Sequence, residues 1–371
     1  MPILHEVPEP KRAGVIFLHN MGNSEPNMYI VKIGFFILSF LALIIFPDVQ
    51  QVYAQQPMPR QSGFAGYLEI LGAYTSSNSQ LNTDSDNKKT DSLDESGERV
   101  GEVRPFPLGL ISYTFADIRT QLYIGILPEN VAEGQILFET GVRHDLTDGT
   151  SLRAAVIPIS PTEQRVWEDP FVVGQDRSRT DLNTWGLKLV ADNIAGSGLN
   201  LRGGLLRRQI DDEKSGEFLF SQPGSDLTLD DLDKLDRDSY LYRLTAQYAT
   251  TLAPRLRLLP IIRYVRGDAE GEANRFNAIA PQLSLQYFSR QWQVALNASV
   301  RGEWYDDTHP VFDKTREDHN LGLFAIVGYK DPLGWKNFRV DLFTGAFLQK
   351  SNIDFYESTS FLTALGLGYV F

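Results

Sequence analysis

Basic side chains recur through this 371-residue chain on the polar side of alternating apolar and polar stretches. The set is Arg143, Arg153, Lys188, Arg202, Arg208, Arg243, Arg257, Arg263, Arg301 and Arg339, and Glu69, Glu139, Asp192, Glu303 and Asp341 fall on the same side. Guanidinium and carboxylate groups that face one another across water focus the local field and sort solutes by charge. Ten basic groups against five acidic ones give this side the opposite sign to the whole chain, whose formal net charge is −12. A one-residue slip of register would exchange the two faces, so the set holds only with the alternation that defines it.

Other constellations are sparser. The stretch YDDTHPVFDKTREDH, residues 305–319, brings His309 and His319 near Asp306, Asp307, Asp313 and Asp318, and an Asp–His pair there would activate a water as general base. A polar loop carrying both residue types by chance explains the stretch equally, since spacing within one loop fixes no base-to-orienter geometry. Asp84, Asp86, Asp91, Asp94, Glu95 and Glu98 crowd one connection, and Asp226, Asp230, Asp231, Asp233 and Asp236 another. Hard cations favour such oxygen ligands, yet DSDNKKTDSLDE lacks the glycine and terminal glutamate of a twelve-residue calcium loop. DNIAGSG, residues 192–198, has glycines but opens no helix and reads as a turn. No nucleotide motif, metal-ligand cluster or lipid-facing Ser–His arrangement is present, so no cofactor, metal or catalytic residue is expected. The acidic balance argues against nucleic acid, which needs a basic face, and the chain has no cysteine.

The elements that would position the charged side are strands. Ahead of them IGFFILSFLALIIF, Ile33–Phe46, follows Lys32 and precedes small residues at Val52 and Ala54. It is short for a membrane span, which needs about 20 apolar residues, and suits the core of a signal peptide. Residues 1–54 are therefore read as a signal peptide, with 1–27 upstream of a start at Met28, and 55–371 as the mature domain. A retained membrane anchor is the alternative.

Beyond residue 55 no segment sustains a 3.6-residue apolar period, whereas period two recurs throughout. In WQVALNASVRGEW, Trp292, Val294, Leu296, Ala298, Val300 and Trp304 share one face, while Gln293, Asn297, Ser299, Arg301 and Glu303 share the other. The pattern repeats at about 64–75, 107–116, 119–127, 134–143, 150–159, 182–192, 198–209, 238–250, 255–267, 276–288, 291–304, 319–329, 337–349 and 358–371. That predicts about fourteen strands, with twelve and sixteen within the counting error. Long connections (76–106, PENVAEG, 160–181, 210–237) alternate with short ones (DLTDG, NIAGSG, LAPR, SRQ, KDPLGWKN), as in a transmembrane barrel with long loops at one end and tight turns at the other. Trp185, Tyr240, Tyr264, Tyr287, Trp292, Trp304, Tyr329 and Tyr369 fall mainly near strand ends, where rings sit at headgroup level. The terminal stretch TALGLGYVF puts Leu365, Leu367, Tyr369 and Phe371 on one face and small residues on the other. It is expected to pair with the first strand, near 64–75, so that neither keeps a free edge.

A signal peptide, alternating strands and a terminal YVF resemble a bacterial outer-membrane β-barrel. More narrowly, GFAGYLEILGAY, DNIAGSG and QIDDEKSG resemble segments of an uncharacterised family of outer-membrane barrels. The resemblance implies an all-β antiparallel up-and-down barrel in the outer membrane, with Tyr369 and Phe371 in the signal read by the barrel-assembly machinery. The expected function is a passive, porin-like channel for small polar, anionic solutes, non-enzymatic, lined by the charged set above. Expected partners are outer-membrane lipid and lipopolysaccharide, the assembly machinery and a small solute, with a monomer as default. A closed structural barrel acting through its acidic loops stays open as an alternative, because side chains also plug barrels of this width. A surface hydrolase using residues 303–319 is the third reading.

Overall fold

The computed structural model describes residues 58–127, 138–158 and 165–371; the predicted signal peptide and the connection PENVAEG lie outside them. The described strands are β1 (Gly63–Ser77), β2 (Val100–Phe115), β3 (Thr120–Ile126), β4 (Phe138–Asp145), β5 (Ser151–Ile157), β6 (Arg165–Trp167), β7 (Arg179–Asp192), β8 (Leu199–Ile210), β9 (Ser239–Tyr248), β10 (Thr250–Ala253), β11 (Leu256–Ala269), β12 (Phe276–Phe288), β13 (Trp292–His309), β14 (Lys314–Lys330), β15 (Phe338–Ser351) and β16 (Ser358–Val370). β6 adds a short rung to β7, and β10 continues β9 beside β11, which leaves fourteen antiparallel staves.

The ring closes between β1 and β16, from Tyr67↔Val370 to Ser77↔Ser360. Gly66 and Phe371 exchange backbone hydrogen bonds of 2.9 and 3.0 Å at the end of this seam. Every stave thus finds its backbone partners on both sides, the condition for strands to cross hydrocarbon. Alternation then fixes the faces. Ile70, Leu189, Leu244, Val300 and Leu365 are exposed on the outside, while Glu69, Asp192 and Asp341 are buried inside. Exposed Trp292 and Tyr369 stand at strand ends on the outer surface, while exposed Trp185 and Trp304 lie farther along β7 and β13. So wide an apolar exterior is a membrane-facing surface, since soluble monomers expose only small patches.

Several strands outrun their predicted limits at the long-loop end. β13 reaches His309 and β14 starts at Lys314, so most of 305–318 is a projecting hairpin rather than a loop. β2 begins at Val100, although Pro105 and Pro107 interrupt its apolar pattern.

The long connections converge on a shared core. Phe171 between β6 and β7, Leu235 between β8 and β9, and Ile353, Phe355 and Tyr356 between β15 and β16 are buried together. Leu93 from the β1–β2 connection and Val311 and Phe312 from the β13–β14 tip pack against them. Two short helices, α1 (Glu217–Phe220) and α2 (Leu229–Lys234), carry the β8–β9 connection inward. Trp167 is 1% exposed; its indole N–H donates to the Gln80 carbonyl at 3.1 Å, and the Arg177 guanidinium lies 4.6 Å from its ring centroid. Loops attached all round the rim and sharing one core must bridge the mouth, forming a cap.

Candidate functional site

The interior is built by register. Following hydrogen-bonded pairs around the wall, Gln121 stands opposite Arg143, Arg143 opposite Arg153, Arg153 opposite Val190 and Val190 opposite Arg202. The row continues through Thr245, Arg263 and Ala280. Between the pairs Ile279↔Gly302 and Gln282↔Ser299, where Pro281 has no N–H to give, Ala280 and Arg301 are the residues opposite. Asn320, Gln349 and Ser358 complete it. Five arginines, on β4, β5, β8, β11 and β13, therefore share one register row on the inner face. One step along, toward the long-loop end, Lys188 stands on β7 and Arg243 on β9, with Glu303 and Asp318 farther round.

Like charges placed directly opposite, as Arg143 and Arg153 are, destabilise a sheet unless counter-charges answer them. Here they do. Arg143 binds Asp145 at 2.9 Å and the Ser151 hydroxyl at 3.0 Å, and Arg153 pairs with buried Asp192, which Arg202 approaches to 3.9 Å. The Lys188 ammonium reaches Glu139 at 2.9 Å, and the Tyr123 hydroxyl donates to the same carboxylate at 3.2 Å. Arg301 lies 3.0 Å from Glu303, with a third of its side chain exposed. On the opposite wall Arg339 pairs with buried Asp341 one register step from Glu69. Arg208 and Arg257 have no carboxylate within 4.0 Å among the described residues.

The two walls differ in chemistry. From β4 to β13 the inner face carries the basic set other than Arg339, whereas from β14 round to β2 it carries, beside Glu69, Arg339 and Asp341, the apolar Phe324, Ile326, Phe343, Tyr67, Leu71 and Leu108. The aromatics of this second wall were absent from the sequence reading. Parity alone would have found them, because Phe343 and Phe347 share parity with Asp341.

The histidine constellation does not assemble. His309 is 1% exposed and turned into the cap. Its Nδ1 accepts the Val311 N–H at 3.3 Å, so Nε2 carries the proton and donates to the Tyr356 hydroxyl at 2.9 Å. Burial, and then the Arg316 charge, push its pKa from 6.5 down to about 3. His319 lies on the exposed outer face of β14. Asp306 pairs with Arg266 at 2.6 Å, Asp307 with Lys234 at 3.4 Å, and Asp318 with Arg316, so these carboxylates are spent elsewhere. His144 bonds Thr120 Oγ1 at 2.9 Å beside a short turn. In the acidic loops Asp84 caps a 3-10 turn and Asp231 forms a capping box with Thr228. Among the described residues no group of three or more His, Asp or Glu is placed to hold a metal.

A family model described as a protein of unknown function (DUF2860) matches residues 63–370. The chain belongs to that family. No curated protein matches the sequence. Among solved structures, this DUF2860 chain is similar to the outer membrane channel DcaP of Acinetobacter baumannii, at 11% identity over 84% of this chain and 97% of that one, with a TM-score of 0.43. An anion-selective porin from Comamonas acidovorans matches at 8% identity over 84% and 99%, with a TM-score of 0.38. OmpT, an outer membrane protein of Vibrio cholerae, matches in a form lacking loop L8 at 10% identity over 84% and 99%, with a TM-score of 0.37.

Proposed function

We propose that this protein is a passive outer-membrane channel for small anionic solutes, exported by its N-terminal segment and acting without a cofactor. The observation that carries the reading is the row of Arg143, Arg153, Arg202, Arg263 and Arg301 on one inner register, with Lys188 and Arg243 one step along. Positive charge held on a narrow wall of low dielectric raises the local concentration of anions and lowers that of cations. The exposed apolar outer band supports a bilayer setting, and the cap would narrow entry at the long-loop end. The wall's carboxylates temper the field, which suits a passage that must release its solute as well as admit it.

A closed barrel that works through its loops is the second reading, and the packed cap favours it. Single-channel recording in a planar bilayer under a potassium chloride gradient separates the two. The channel reading expects steady conductance with anion preference, reduced by Arg263→Ala and Arg301→Ala. Silence from protein whose heat-modifiable gel migration proves it folded would overturn it.

A further inference from the structure

Arg208 stands apart from the arginines lower in the wall. It follows Arg202 by six residues on the same face of β8, about 20 Å nearer the long-loop end, and lies opposite Thr184 and Ser239. The residue is half-buried, and among the described residues its guanidinium makes no hydrogen bond and has no carboxylate within 4.0 Å. The charged and polar groups it feels are Arg237, Asp238 and the Tyr305 phenol. Asp238 is engaged elsewhere, accepting the Ile210 N–H at 2.7 Å. Arg237 spends its donors on Glu213 at 2.7 Å and on the Trp167 and Glu168 carbonyls at 2.7 and 3.0 Å. Arg208 is therefore a cation left open beneath the cap.

Tyr305 comes to the same space from β13, four staves round the wall. It shares the inner face with Glu303 and lies opposite Phe276, whose ring centroid is 5.4 Å from its own. The Arg316 guanidinium, tied to Asp318 at 2.5 Å, stands 4.5 Å from the Tyr305 centroid. These neighbours fix the ring, while its hydroxyl has no hydrogen-bond partner among the described residues. Unpaired polar groups in so packed a setting call for an explanation. A guanidinium fork offers two parallel N–H groups that match two oxygens of an oxyanion, and a phenol O–H supplies a third donor. A halide presents one spherical acceptor and cannot engage the fork in that way.

We infer that the Arg208 guanidinium and the Tyr305 hydroxyl form an oxyanion-binding site beneath the cap, where a solute is held as it enters from the long-loop end. This rests on the anion-channel reading and deepens it by naming the solute class. The lower arginine row would then receive an anion already selected for its oxygens.

Equilibrium dialysis of radiolabelled inorganic phosphate against the full chain folded in detergent, corrected against empty micelles, tests this without requiring conductance. Phosphate should bind about tenfold tighter than chloride, the latter read by competition. Arg208→Lys keeps the charge and removes the fork, so phosphate affinity should fall about tenfold while chloride affinity changes little. Tyr305→Phe keeps the ring against Arg316 and Phe276 and removes only the hydroxyl, so phosphate affinity should fall about fivefold. Both substitutions preserve side-chain size, and heat-modifiable gel migration checks that each variant is folded. Equal binding of phosphate and chloride, or a phosphate affinity that either folded variant leaves unchanged, would overturn the site. Phosphate binding that both variants weaken, in a barrel silent in bilayers, would refute the channel and leave the site standing. Anion-selective conductance with a phosphate affinity that ignores both variants would do the reverse.

Discussion

The imidazole buried in the cap gives the loops a pH dependence whose direction follows from its surroundings. His309 is held neutral by burial and by the nearby Arg316 charge, its pKa pushed down from 6.5 to about 3. Around it stand Phe171, Phe312 and Tyr356, with Arg316 paired to Asp318 and stacked 3.4 Å from the Tyr356 ring centroid. In an opened cap the imidazole returns to its ordinary value, so below pH 6.5 the open form takes up a proton that the closed form refuses. The contribution of His309 is complete above pH 6.5 and declines by about 1.4 kcal/mol per pH unit as pH falls toward 3. At pH 4.5 the loss is about 3 kcal/mol, roughly a hundredfold in the opening equilibrium. Hydrogen exchange reads this at the Phe312 and Asp313 amides, which donate to the His309 carbonyl, and at Tyr356, which donates to Ile353. Rates corrected for intrinsic exchange should show protection falling between pH 7.5 and 4.5. His309→Gln keeps a donor for Tyr356 and removes the titration, so most of that slope should vanish. Protection that does not change over this range, or a slope that survives undiminished in the glutamine variant, would refute the reasoning.

Two further perturbations probe the wall. Glu139 is 0% exposed and holds Lys188, so Glu139→Gln should cost about 3–5 kcal/mol by leaving that ammonium without its carboxylate. The temperature at which the folded gel band is lost should drop, and adding Lys188→Met should restore most of it. Gly125 has a φ of +133°, and a Cβ there would fall 2.2 Å from the Gly109 carbonyl oxygen on the neighbouring stave. Gly125→Ala should abolish the compact band, while Gly174→Ala, at φ +73° with nothing within 4 Å, should cost only about 1–2 kcal/mol.

Legibility varied with the solvent on each side of a strand. Across the bilayer one face is oily and the other wet, so period two is strong, and the two faces of β13 are legible in WQVALNASV. Where β13 and β14 project beyond Trp304 both faces are polar or cap-facing, alternation fades, and DDTHPVFDKTRED read as a loop. The cap was opaque for a different reason. Phe171, Leu235 and Phe355 each sit alone among polar neighbours in sequence, and only the closed ring brings their loops together. Counting charges put arginines and carboxylates on one side without saying which of them pair, because pairs such as Arg153–Asp192 join residues on different staves. The inward rings of the aromatic wall carry no charge to mark them, so they differ from outward ones in parity alone.

The seam between β1 and β16 also governs how the molecule is made. Its partners, Tyr67 and Val370, lie about three hundred residues apart, whereas the other wall pairs join strands that are neighbours in sequence. The loop-closure entropy of that one contact is the largest in the molecule, and it is repaid only when the sheet has curled far enough for its ends to meet. Until then both terminal strands carry unpaired backbone on one side and bare leucines on one face, a pairing template for any neighbouring chain. The hazardous interval in the life of this protein is therefore the wait before closure. An escort that shields these two edges between synthesis and membrane entry would protect it more than any added stability in the finished wall.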